Sequence, residues 1–116
     1  MLTVIPKATV RAPLITAPLV GTVNASVVLG LGLAIAAFRS SGSDQHSSTD
    51  WDIRTAANGG GSSIWSSLAD ATNKLSITVP ALTLTALTTY YLRVRCNGAR
   101  LGAGAWSNDL SFATVA

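Results

Sequence analysis

Four residues near the middle of the chain, Asp44, His46, Asp50 and Asp52, carry the groups from which divalent-metal sites are built. Their arrangement argues against that chemistry. Asp50 and Asp52 flank Trp51 on an alternating stretch that turns both carboxylates away from the core, and no regular ligand spacing joins them to Asp44 and His46. The preferred reading is a polar loop, Phe38 to Ser48, that hydrogen-bonds to itself through Asp44 and His46. Serine is abundant and His46 is the single histidine, but no nucleophile-elbow pattern accompanies them, so serine catalysis has no support. Gly59, Gly60 and Gly61 are not followed by Gly-Lys-Ser/Thr and read as a turn after Asn58, not as a phosphate loop. Trp51, Trp65 and Trp106 would form a sugar-stacking platform if they converged. Trp51 reads as core and Trp106 as an edge cover, while the pattern leaves the side of Trp65 open. The expectation is a protein that is not an enzyme, with no catalytic residue, no metal and no cofactor.

Charge narrows the partners. Only 11% of residues are charged, Glu is absent, and thirteen Ser and thirteen Thr supply much of the polarity; average soluble domains carry about 25% charged residues. Such a surface has little electrostatic repulsion between copies, which suits a subunit of a crowded assembly. The net charge of +3 comes from scattered residues, with only Arg93 and Arg95 sharing a strand face. Nucleic-acid binding uses a dense basic stripe, so no nucleic-acid partner is expected. The lone Cys96 falls on an inward strand position and reads as a small buried apolar residue. The most apolar run, Val27 to Phe38, covers 12 residues and contains Gly30 and Gly32, against the roughly 20 that a membrane-spanning helix needs. The N-terminus, Met1 to Lys7, lacks the pattern of a signal peptide.

The elements that position these residues are strands. From Tyr90 the chain alternates, with Tyr90, Leu92, Val94 and Cys96 on one face and Tyr91, Arg93, Arg95 and Asn97 on the other. A second alternating stretch puts Val27, Leu29, Leu31, Leu33 and Ile35 together, and its glycines, Gly30 and Gly32, imply that another backbone comes close. Further strands are expected at Pro13–Pro18, Thr49–Thr55, Ile64–Leu68, Leu75–Val79 and from Trp106 onward, the last with Leu110 and Phe112 inward. Together they give an all-β fold, a seven-stranded antiparallel two-sheet sandwich. Leu84, Tyr90, Leu92, Val94, Trp51, Ile53, Leu110 and Phe112 form its core. Residues 1–12 are expected to be an extended N-terminal arm and residues 13–116 the domain.

The placement of Leu84 six residues before Tyr90, across a Thr-rich corner, resembles the E–F corner and F strand of a fibronectin type III domain. Pro13–Gly21, Gly42–Ile53, Tyr90–Arg95, Trp106-Ser107 and Ser111–Thr114 extend the resemblance to the fibronectin type III or Ig-like modules of bacteriophage virion proteins, over residues 13 to 115. The resemblance implies a tyrosine hydroxyl that closes the corner onto nearby backbone. It also implies a structural protein that decorates or cements a phage capsid or tail, made in the host cytoplasm and carried in the virion. A single module behind its own methionine favours a small accessory subunit over a fibre. The alternative function is an adhesion module for cell-surface carbohydrate. In the structural reading the arm docks on another virion protein through Leu2, Val4, Ile5, Lys7, Val10 and Arg11, adding as a strand to a sheet edge in a multimeric assembly.

Overall fold

The computed structural model describes residues 8–115, all strand, turn and loop. Eight strands follow one another: β1 (Ile15–Ala17), β2 (Leu31–Ile35), β3 (His46–Arg54), β4 (Ser63–Asp70), β5 (Ser76–Val79), β6 (Thr89–Gly98), β7 (Gly102–Ala103) and β8 (Leu110–Ala113). They form two antiparallel sheets. One has the order β1-β2-β5, the other β4-β3-β6-β7, with β8 also on β6. Their inner faces share one core, as in a β-sandwich: Leu33, Ile35 and Val79 from the smaller sheet meet Trp51, Ile53, Leu92, Val94 and Phe112 from the larger.

The eighth strand arises because the Gly-rich stretch before the last expected strand forms a short strand of its own, β7, while the strand expected from Trp106 becomes regular only at Leu110. β7 pairs with the Asn97–Gly98 end of β6 and β8 with its Thr89–Leu92 end. Between them Ser107 bonds the chain to Val94: its N–H donates to the Val94 carbonyl and its hydroxyl accepts from the Val94 N–H. Pairing along β6 is therefore continued by one serine instead of a regular ladder.

The strongest alternation in the sequence becomes the centre of the larger sheet. Tyr90, Leu92, Val94 and Cys96 are all buried, and burying each large apolar side chain contributes about 1.5–3 kcal/mol. β2 corrects an expectation. It starts at Leu31, not Val27, because Gly30 takes a φ of +82° and interrupts the extended backbone, leaving Val28 and Leu29 exposed. A Cβ on Gly30 would lie 2.7 Å from the Val79 carbonyl oxygen, the close backbone approach its glycine implied, whereas Gly32 faces open space. β3 begins earlier than expected, since His46 and Ser48 pair with Gly98 and Asn97.

The boundary expected at residue 12 also shifts. Val10 bridges Ser40 and is 4% exposed, the Arg11 N–H donates to the Arg39 carbonyl, and the Ser41 N–H donates to the Thr9 carbonyl. Gly98 and Gly104 leave the space that the Val10 side chain fills, so this stretch closes the protein's own sandwich.

Candidate functional site

The eight residues expected in the core, Leu84, Tyr90, Leu92, Val94, Trp51, Ile53, Leu110 and Phe112, are all buried. Tyr90 ties the corner together: the Thr85 N–H donates to its hydroxyl at 2.8 Å, and its ring lies 5.9 Å from that of Phe112. Of the six residues expected to contact a partner, Leu2, Val4, Ile5 and Lys7 lie outside the described residues. Val10 is a correction. Burial against Gly98 and Gly104 commits it to its own core, while Arg11 remains exposed and lines, with Arg39 and Leu101, an open cavity of about 540 Å³.

The most highly organised polar surface is the outer face of the larger sheet. Asp50 stands opposite Arg95 and Asp52 opposite Arg93 on the paired strands β3 and β6. Arg93 Nε lies 2.9 Å and Arg54 Nη1 3.3 Å from Asp52 Oδ2, and Arg95 Nε lies 2.6 Å from Asp50 Oδ2. Both carboxylates point away from the apolar core as expected, yet they are buried, at 5% and 4% exposure. Their cover is Trp106, whose ring centroid lies 4.0 Å from the Arg93 guanidinium and 4.5 Å from that of Arg95. Burial alone would push the Asp50 carboxyl up, but the Ala69 N–H, Arg95 and Asn97 donate to it and hold it below the usual carboxylate range. Three guanidiniums over two carboxylates leave a cationic groove of about 240 Å³ lined by Arg54, Arg93, Arg95, Ser63, Leu68 and Trp106.

The remaining candidates stay structural. Asp44 is an anchor: burial pushes its carboxyl up, but N–H groups of Leu101, Gln45 and Arg100 donate to it and lower it overall. His46 stacks on Phe38 with centroids 5.0 Å apart and shares a 2.7 Å hydrogen bond with Thr49 Oγ1; burial, then the Lys74 charge, lowers its pKa. Among the described residues no group of three His, Cys, Asp or Glu side chains converges to hold a metal ion. Burial, then the Asp50 charge, pushes the Cys96 thiol up to about 11, which leaves it a poor nucleophile at neutral pH.

The tryptophans diverge. Trp51 is fully buried and donates from Nε1 to the Asn73 carbonyl, and Trp65 packs against the core opposite Ile53; Trp106 sits on the opposite face of the sheet. Sequence reasoning missed two features. Leu19, Val20, Val23, Leu29, Leu82 and Leu87, each at least 70% exposed, fall in two connections, which meet where the Leu82 N–H donates to the Val27 carbonyl. Among the described residues, strand β4 also forms an open sheet edge. The first was visible as apolar residues but not as surface; the second required the strand order. No helix among the described residues is long and apolar enough to cross a membrane. No protein-family model, curated protein or solved structure matches this chain.

Proposed function

We propose that this chain is a non-enzymatic structural subunit of a bacteriophage particle, a fibronectin type III or Ig-like module that decorates or cements the capsid or tail surface through protein–protein contacts. The observation that carries the reading is the apolar surface on the connections β1–β2 and β5–β6. Leu29, Leu82 and Leu87 stand 85%, 74% and 79% exposed on a protein with few charges. The two connections meet where the Leu82 N–H donates to the Val27 carbonyl, and exposed apolar surface of this kind is what a neighbouring subunit would cover. The strand order β1-β2-β5 facing β4-β3-β6, with Tyr90 closing the corner onto Thr85, supports the module type.

The test is reconstitution. Particles assembled without the protein should bind the purified chain saturably and carry it down on sedimentation, and Leu29→Ser/Leu82→Ser should weaken that binding at least tenfold while preserving the fold. Absence of co-sedimentation at any occupancy overturns the reading. The carbohydrate alternative rests on Trp106 alone, because Trp51 and Trp65 face inward. Glycan binding abolished by Trp106→Ala would establish it instead.

A further inference from the structure

The groove on the outer face of the larger sheet holds more hydrogen-bond donors than the protein itself uses. β6 contributes Arg93 and Arg95 to it, β4 contributes Ser63, Ser66 and Leu68, and Trp106 lies over both arginines. Two irregularities in the β3–β4 pairing shape the β4 side: Ser63, not Ile64, stands opposite Arg54, and the Ala69 N–H turns to Asp50. Both carboxylates beneath are fully engaged. Asp52 accepts from Arg54, Arg93 and Ser63, and Asp50 from Arg95, Asn97 and the Ala69 N–H. Arg54 is engaged as well, since its Nε and Nη2 donate to the carbonyls of Gly60 and Gly61. Arg93 and Arg95 differ. Each gives only its Nε to an aspartate, and among the described residues their Nη groups donate to no acceptor. Their side chains remain 23% and 33% exposed. Three guanidiniums against two carboxylates leave one positive charge over, and those Nη groups carry it to the groove.

We propose that the Nη groups of Arg93 and Arg95 bind the carboxylate of an acidic residue on an exposed segment of a different protein, with an apolar neighbour of that residue resting on Leu68. The inference does not rest on the virion reading. A guanidinium presents its N–H groups as a planar fork, which matches a carboxylate. One surplus charge suits one carboxylate. A polyanion such as a nucleic acid or a polyuronate needs a run of cations, and the chain's other described cations lie elsewhere. Arg11 and Arg39 line a different cavity, while Arg100 and Lys74 are held on the carbonyls of Ser43 and His46. Leu68, 62% exposed on the wall of the groove, offers apolar contact beside the charge. A second copy of this chain would not supply the ligand. All five of its acidic residues already accept hydrogen bonds within their own chain: besides Asp50 and Asp52, Asp44 accepts from Leu101, Asp70 from Asn73 and Asp109 from Asn58. The carboxylate therefore comes from another protein.

The probe is a terminally blocked peptide with Leu-Glu-Leu at its centre, titrated into the full chain and followed by NMR. It should shift the Nε–H signals of Arg93 and Arg95 and the indole N–H of Trp106 saturably, and the matching Leu-Gln-Leu peptide should not. Raising the salt from about 0.02 M to about 0.5 M should weaken binding roughly threefold or more, because the contact is ionic and partly exposed. Ser66→Glu brings a carboxylate into the groove from an exposed position while leaving every arginine and aspartate in place, so it should abolish binding. Ser76→Glu, the same charge change on an exposed residue of β5 in the other sheet, should not. Sodium acetate should compete only at more than tenfold the peptide concentration. Unchanged binding in Ser66→Glu, or equal binding of the Gln peptide, overturns the site. Acetate binding as tightly as the peptide overturns the part given to Leu68, and a polyuronate binding more tightly per carboxylate overturns the choice of a protein partner.

Discussion

Strands β4 and β6 belong to the same sheet, both alternate, and they meet opposite fates. β6 is paired on both edges, by β3 and by β7 and β8, and covered on both faces: one by the core, the other by the layer of Arg93, Arg95 and Trp106 over Asp50 and Asp52. β4 has the same length class but, among the described residues, only β3 beside it, and its Ile64 and Leu68 are exposed. An alternating pattern thus reports which face a side chain takes. It does not report whether that face is wet, because that depends on where the strand sits in the sheet.

This contrast sets the order of expected effects. Tyr90→Ala should cost about 3–5 kcal/mol in denaturant unfolding, the range for removing a large buried aromatic. Leu68→Ala, on the exposed face of β4, should change monomer stability by less than about 0.5 kcal/mol. If the two cost the same, the distinction between the strands fails. Asp52→Ala removes the shared partner of Arg93, Arg54 and Ser63 and should cost about 2 kcal/mol, the scale of hydrogen bonds to a charged group with one side open to water. A neutral result would mean that the outer layer of β6 is as dispensable as the exposed face of β4. Tyr90→Phe keeps the ring in the core and removes only the bond from Thr85, so a loss of about 1 kcal/mol is expected, measurable as a lower denaturant midpoint at unchanged m-value.

Acid should sharpen the same comparison. Asp50 has its pKa lowered in the fold, and that of Asp70 falls to about 2 through hydrogen bonds from the Asn73 N–H, Ser67 and the Asn73 side chain. A carboxyl depressed by folding stabilises the native state above its unfolded pKa, and this contribution is lost as pH falls through the folded value. Melting temperature should therefore hold through neutral pH and fall from about pH 4 toward pH 2. Asp50→Asn should flatten this fall; an unaltered acid profile in that variant would show that Asp50 gains nothing from its partners.

Much of the fold was legible because the signals are local. Tyr90, Leu84 and the alternation to Cys96 lie within one corner and one strand, and the structure places all of them in the core. The ion-pair layer was not legible. Asp50 and Asp52 lie some forty residues from Arg93 and Arg95, and neither strand's pattern reveals the register that brings them together. Val10 fell to the same distance problem: its pocket is made by Gly98 and Gly104, so truncation at Ala12 would remove a core residue, not a free arm. Just before β2, Gly30 was legible as a site of close backbone approach, but its left-handed φ, which ends the strand there, was not. The open edge of β4 depends on strand order, which no stretch of the sequence contains.

The central claim is that this chain is a structural part of an assembled particle. Quantitative mass spectrometry of purified phage particles, counting this chain against the major capsid protein, tests it most directly. The account predicts a fixed stoichiometry, in the hundreds of copies for a coat on the capsid or tail tube and a handful for a baseplate position. Absence of the chain from particles that contain their full complement of capsid and tail proteins would contradict it.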